Sequence, residues 1–177
     1  FLLENELSIL QETLYKPQHP FVAIIGGAKI STKFDVMRSL LGKVDILIVG
    51  GGMVYTLMLA QGKEVGDSLV EASLLDEAKE FLAELENTHT QLVLPEDHVV
   101  ANSFSATADV KQDVASIQKG WMALDIGSKS IELAKKYIQT AKLILWNGPV
   151  GAFELEPFAK GTMQIAQAVA NSDAKTV

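Results

Sequence analysis

The run Phe21-Val-Ala-Ile-Ile25 is followed at once by Gly26-Gly27, and then by Lys29 and Lys33. Few architectures accommodate that succession. Five consecutive apolar residues have no polar face, so the strand they predict must be covered on both sides. Gly26 and Gly27 end the strand and allow a tight turn or a close approach of the backbone to another group. A helix starting near Ser31 puts Lys33 in its first turn and Lys29 just before it. Cations there oppose the helix dipole, so capping explains neither lysine. An anion held at the helix start explains both; two solvated surface lysines are the alternative reading.

The motif recurs. Val44 to Val49 is a second apolar strand, followed directly by Gly50-Gly51-Gly52. Gln91 to Leu94 is a short strand stopped by Pro95. Trp121 to Ile126 reads as a fourth buried strand capped by Gly127. Leu143 to Trp146 is a fifth, running straight into Asn147-Gly-Pro-Val-Gly-Ala-Phe-Glu154. Helical periodicity fills the intervals. Phe34, Met37 and Leu40-Leu41 mark a helix ending at Gly42, Met53 to Gln61 a second, and Leu75 to Glu86 a third. Ser128 is a fair N-cap for a fourth, and Pro157 opens a fifth that runs to Ala170 with Phe158, Met163 and Ile165 inward. Thr176-Val177 would begin another strand. Between Asp97 and Val114 the pattern is weaker: Val99 to Ala101 suits a short strand, and Phe104 to Val114 a hairpin or an excursion. Leu2 to Leu14 has helical spacing and ends at Pro17 and Pro20. It suits a connector to a preceding domain or one more packed helix.

Strands alternating with helices, each strand nearly continuously apolar, predict an α/β fold: a Rossmann-like three-layer α/β/α sandwich with a mainly parallel sheet. Ligands of such sheets collect at the carboxyl ends of the strands, where Gly26-Gly27, Gly50 to Gly52, Gly127 and Asn147-Gly148 all fall. That convergence points to a phosphate-bearing nucleotide. The G-x-G-x-x-G spacing of the dinucleotide fingerprint is missing, which weighs against an oxidoreductase domain. A nucleotide-binding module without catalysis stays open as a rival. A net charge of −7 argues against a nonspecific nucleic-acid partner and requires any phosphate to be held by a local arrangement. The chain has no cysteine, which excludes disulfides and thiolate metal sites and fits a cytoplasmic setting. No apolar run approaches the length of a membrane span. His98 reads as structural, and His19 and His89 as loop residues. Both ends, Phe1 and Val177, read as cut from something longer.

Taken together, Gly26-Gly-Ala-Lys-Ile-Ser-Thr-Lys33, Gly50-Gly-Gly-Met53, Leu94-Pro95, Gly120-Trp-Met-Ala-Leu-Asp125 and Trp146-Asn-Gly-Pro-Val-Gly-Ala-Phe-Glu154 resemble phosphoglycerate kinase, specifically its C-terminal nucleotide-binding domain. The resemblance covers essentially the whole chain. It implies a glycolytic enzyme that moves a phosphoryl group between 1,3-bisphosphoglycerate and ADP, giving 3-phosphoglycerate and ATP, and that works as a monomer. It implies catalytic roles for Lys29, which would stabilise the phosphoryl group in flight, and Lys33, which would hold the nucleotide phosphates. Gly27, Ala28, Gly51, Gly52, Leu69, Ala123 and Leu124 would surround the nucleotide. Asn147, Gly148 and Pro149 would approach its phosphates, Val150 would pack near the nucleoside, and Glu154 would accept from the ribose hydroxyls. Three residues depart from the family's common pattern: Ala123 stands where Gly is usual, Thr32 where Asp is frequent, and Ser128 where Pro is frequent. None removes a proposed charge. The resemblance also implies that residues 1–20 link to a preceding domain that holds the phosphoglycerate, and that 21–177 is a nucleotide-binding domain truncated before its last strands. A Gly-Gly-Gly-Asp segment supplying the Mg²⁺ carboxylate would follow Val177. No metal ligand is assigned within the chain, and the chain alone is expected to be inactive.

Overall fold

The computed structural model describes residues 16–177. The helix expected over Leu2 to Leu14, and most of the expected connector, lie outside them. Five strands form one parallel sheet: β1 (Phe21–Ile25), β2 (Ile46–Val49), β3 (Gln91–Val93), β7 (Leu143–Asn147) and β8 (Lys175–Thr176). Their order is β3-β2-β1-β7-β8, so β1 is central. It pairs in parallel with β2 on one side and β7 on the other.

The apolar run of β1 is the hinge between two cores. All five of its residues are inaccessible, and successive side chains leave opposite faces of the strand. Phe21, Ala23 and Ile25 join a core with Phe34, Met37, Leu57 and Phe81. Those residues come from α1 (Phe34–Leu40), α2 (Val54–Ala60) and α3 (Leu75–Glu86). Val22 and Ile24 join the opposite core with Ile131, Ala134, Ile138 and Ile165, from α4 (Ser128–Thr140) and α5 (Lys160–Ala170). This is the three-layer α/β/α sandwich.

The run ending at Ile126 departs from the expectation. It does not enter the parallel sheet. β6 (Met122–Ile126) pairs antiparallel with β4 (His98–Ala101), which pairs antiparallel with β5 (Val110–Val114), in a separate three-stranded sheet. The reason is the connections. A parallel neighbour needs a long crossover, whereas β4, β5 and β6 follow one another without an intervening helix. The weakly patterned stretch after Asp97 is thus a hairpin.

Helix starts also differ from the sequence reading. A single 3₁₀ turn (Ile30–Thr32) precedes α1, so Lys29 and Lys33 are the residues flanking that turn and neither lies inside the helix. Ser128 is not the N-cap of α4; Gly127 occupies that position. Asp113 accepts from the Ser128 N–H (2.7 Å), and the Asp97 carboxylate accepts from the backbone N–H of Lys129 (2.9 Å) and Ser130 (2.8 Å) and from the Ser130 hydroxyl (2.6 Å). Burial works to raise the Asp97 pKa, but the Ser130 and Lys129 hydrogen bonds outweigh it and hold the carboxyl below its ordinary range. Met163 is 63% exposed. Two residues beyond buried Gly161 and two before buried Ile165, it falls on the outer face of α5.

Candidate nucleotide site

Three strand ends meet at the carboxyl edge of the parallel sheet, and they meet backbone to backbone. The Gly26 N–H donates to the Asn147 carbonyl (2.9 Å), Gly50 N–H to Ile25 (3.0 Å), Gly51 N–H to Val150 (2.9 Å) and Met53 N–H to Gly27 (3.1 Å). A methyl group on Gly26 would overlap the Pro149 carbonyl, and one on Gly51 would overlap the backbone of Gly27. Gly51 also has φ +73°, where a side chain is strained. These glycines therefore have a structural reason to be there: they let β1, β2 and β7 close on one another. Gly127 does not join them. It packs against the Asp97 carboxylate, where a Cβ would not fit.

Beside this junction is a crevice of about 470 Å³. Its sheet side is backbone-rich: Gly27, Ala28, Gly51 and Gly52. Ala123 and Leu124 of β6 line another side, and Pro149, Val150 and Glu154 a third. Leu69, 52% exposed, stands at the rim. The walls are tied together. The Ala152 N–H donates to the Leu124 carbonyl (2.7 Å), binding the loop after β7 to β6. The Ala123 N–H donates to the Ser68 hydroxyl (3.0 Å), binding β6 to the segment that carries Leu69.

Lys33, Asn147 and Gly148 do not line this crevice. The Lys33 ammonium donates to the Asn147 side-chain oxygen, and its stem passes beside Gly27. The two residues thus form a polar edge next to the glycine wall. Lys29 sits nearer Glu71, which braces the turn: its carboxylate accepts from the Ser31 N–H (3.1 Å) and hydroxyl (2.8 Å). Burial works to raise the Glu71 pKa, while the Ser31 and Ile30 hydrogen bonds and the Lys29 charge outweigh it and lower it.

Sequence reasoning missed Tyr55, Asp67, Phe104 and Met122 in the crevice wall. Met122 lay inside the quoted segment Gly120 to Asp125 without a role, and Phe104 stood out as a large apolar residue in a segment of weak pattern; it is 58% exposed. Also missed was Asp125. It is 1% exposed and accepts from the backbone N–H of Gly161 (2.7 Å) and Ile126 (2.9 Å). Burial dominates there and lifts its pKa to about 6, although those hydrogen bonds and Lys160 pull it down. Nearby, the buried Tyr55 hydroxyl meets His98 Nδ1 at 3.2 Å. This supports a structural role for His98. Among the described residues no group of three or more His, Asp or Glu side chains is placed to hold a metal. No described helix is long and apolar enough to cross a membrane.

Fold and crevice together define a doubly wound α/β protein with a crevice at the carboxyl edge of its parallel sheet, where such sheets hold their ligands. The family profile described as phosphoglycerate kinase matches residues 1–177. The chain belongs to the phosphoglycerate kinase family. It is 50% identical over 175 residues to the phosphoglycerate kinase of Chloroflexus aggregans, covering 98% of this chain and 44% of that one. It is 51% identical over 178 residues to that of Roseiflexus castenholzii, covering 100% and 45%. The solved phosphoglycerate kinase from Coxiella burnetii superposes with a TM-score of 0.94 at 40% identity, over 99% of this chain and 45% of that one. The one from Pyrococcus horikoshii superposes at 0.83 and 27% identity, over 98% and 45%. The chain spans under half the length of the curated relatives it matches.

Proposed function

We propose that residues 21–177 are the nucleotide-binding part of a cytoplasmic, monomeric phosphoglycerate kinase. The crevice takes ADP or ATP, and the partner substrate is 3-phosphoglycerate or 1,3-bisphosphoglycerate, held by another part of the protein. The observation that carries this reading is the backbone-lined crevice with a lysine at its edge. Glycine walls let a flat base approach closely. Apolar Leu69, Val150 and Leu124 suit its faces. The Glu154 carboxylate, an acceptor only, suits ribose hydroxyls.

The reaction breaks the acyl phosphate O–P bond of 1,3-bisphosphoglycerate and forms an O–P bond to the terminal phosphate of ADP. The carboxylate of 3-phosphoglycerate leaves, and no proton need move. Such a transfer relies on positioning and on neutralising spread negative charge. Lys33 leaves Asn147 for the nucleotide phosphates, and Asn147 then turns its amide toward them. Gly148 and Pro149 shape that end. Lys29, a flexible point donor on a turn braced by Glu71, follows the phosphoryl group in flight. Mg²⁺ would shield the phosphates, and no cluster of three or more carboxylate or imidazole groups among the described residues forms a cage for it.

Calorimetry with ADP tests the reading. The chain should bind ADP, and Lys33→Ala and Glu154→Ala should each weaken binding about tenfold. In the full-length enzyme Lys29→Ala should lower kcat far more than it changes nucleotide affinity. A folded chain that ignores ADP, with and without Mg²⁺, overturns the reading. If Lys29→Ala weakens ground-state binding as much as Lys33→Ala, a purely nucleotide-binding module is favoured instead.

A further inference from the structure

Two helices on the same face of the sheet, α4 and α5, begin on aspartates from elsewhere in the chain. Asp97 serves α4 alone: its partners are Lys129 and Ser130, outside the crevice. Asp125 is placed differently. It follows Leu124, a crevice residue, on β6. One of its oxygens accepts from Gly161 in the first turn of α5 (2.7 Å). The other lies so close to Gly151 and Gly161 that a methyl group on either would overlap it. Gly151 follows Val150 and precedes Ala152, and all three line the crevice. The Ala152 N–H is bonded to the Leu124 carbonyl next door. Consecutive residues of β6 thus grip both the loop that leads to Glu154 and the helix that follows it.

We propose that Asp125 is a positioning residue for the nucleoside end of the crevice: its buried carboxylate sets the spacing between the β6 wall and the Val150–Glu154 loop. The inference rests on the nucleotide reading above and adds a residue to it. Two facts separate this from ordinary packing. A carboxylate that is 1% exposed and held by only two N–H donors is an expensive way to fill space, and an apolar side chain would fill it without desolvating a charge. The space is also reserved for the carboxylate, because glycine stands on both sides of it. Hydrogen bonding to Gly161 fixes direction as well as distance, which contact alone does not. The charged and titratable groups that act on Asp125 are Lys160 of α5, which favours its ionised form, and Tyr55 of α2, whose ionisation it opposes.

Two fragments of the ligand separate the ends of the site. Adenosine reports on the nucleoside end, and inorganic pyrophosphate on the phosphate end beside Lys33. Asp125→Asn keeps the shape and one acceptor oxygen but removes the charge; Asp125→Leu removes both. For the folded chain at pH 7.5, adenosine should bind about tenfold more weakly to Asp125→Asn and be lost in Asp125→Leu, with pyrophosphate affinity unchanged in both. The pH profile adds a readout that mere space-filling would not move. Adenosine affinity of the parent chain should fall as the pH drops from 7.5 to 5, and that dependence should vanish in Asp125→Asn. Variants that melt earlier yet bind adenosine like the parent would overturn the inference. So would equal weakening of adenosine and pyrophosphate. If Asp125→Leu fails to fold, the Asn variant decides alone. If the folded parent chain binds neither fragment, the nucleotide reading itself fails, which is a different result.

Discussion

Lowering the pH from 7 to 4.5 pulls the stability of this fold in two opposing directions, and His98→Phe separates them. Burial holds the folded His98 imidazole at about 4, against an ordinary 6.5; the Asp97 charge raises it and Lys63 lowers it further. The unfolded chain therefore takes up a proton that the folded chain refuses, and stability is lost as the pH falls from 6.5 toward 4. Asp125 works the other way. Burial lifts its carboxyl from 3.8 to about 6, so the folded chain takes up the proton first, and stability is gained as the pH falls from 6 toward 3.8. Between pH 7 and 4.5 the His98 contribution is unfavourable and the Asp125 contribution favourable, each by about 2 kcal/mol. They nearly cancel. Urea unfolding at both pH values, on the parent chain, His98→Phe and Asp125→Asn, measures each one. His98→Phe has a fixed cost at every pH, because it leaves the Tyr55 hydroxyl without its partner. Its change on acidification should nevertheless be about 2 kcal/mol more favourable than the parent's, and that of Asp125→Asn less favourable by a similar amount. Apart from Asp97, which interacts with His98, the other titrating groups act alike in all three proteins and drop out of the comparison. Three proteins with the same pH dependence would show that these two buried groups are not shifted as their burial requires.

Gly51→Ala should cost about 3 kcal/mol, because it combines a positive φ with overlap on the Gly27 backbone; a thermal melt within a degree or two of the parent would refute the packing argument. Asp97→Ala should cost about 2 kcal/mol at pH 7 by removing the oxygens at the start of α4. That deficit should shrink below about pH 4, since a carboxyl held below its ordinary range contributes stability only while it is ionised. The 177-residue chain, given 1,3-bisphosphoglycerate and ADP, should show no turnover in a coupled assay; measurable turnover would mean that the site needs nothing outside it.

The parts of the fold legible in the sequence are those with uninterrupted local patterns. β1 is five apolar residues followed by glycine, and α3 matches its periodic stretch from Leu75 to Glu86 at both ends. The strand-end glycines were readable for the same reason, and the sheet side of the crevice came with them. β6 was misplaced because its apolar run looks like that of a central strand, while its partner is decided by the helix-free connections that lead into it from β4 through β5. The start of α4 was misread because Asp97, which serves it, lies more than 30 residues earlier in the chain. Asp125 closed a quoted segment but had no role, for a related reason: a single acidic residue in an apolar strand acquires meaning only from Gly151 and Gly161, which reach it through the fold. Tyr55 and Asp67 enter the crevice from turns and helix faces that no local spacing singles out.

The backbone contacts at the ends of β1, β2 and β7 also divide the crevice by how freely it can change over generations. Where main chain lies against main chain, at Gly51 in the crevice wall and at Gly26 and Gly148 in the junction beside it, any side chain breaks the junction. That half of the site cannot be retuned by point substitution. The opposite half is built from side chains: Leu69, Phe104, Met122, Ala123 and Glu154. Leu69 and Phe104 there are more than half exposed and can be exchanged at little cost to folding. A lineage reshaping this crevice has its raw material on that side alone. The glycine side hands down the same geometry unchanged.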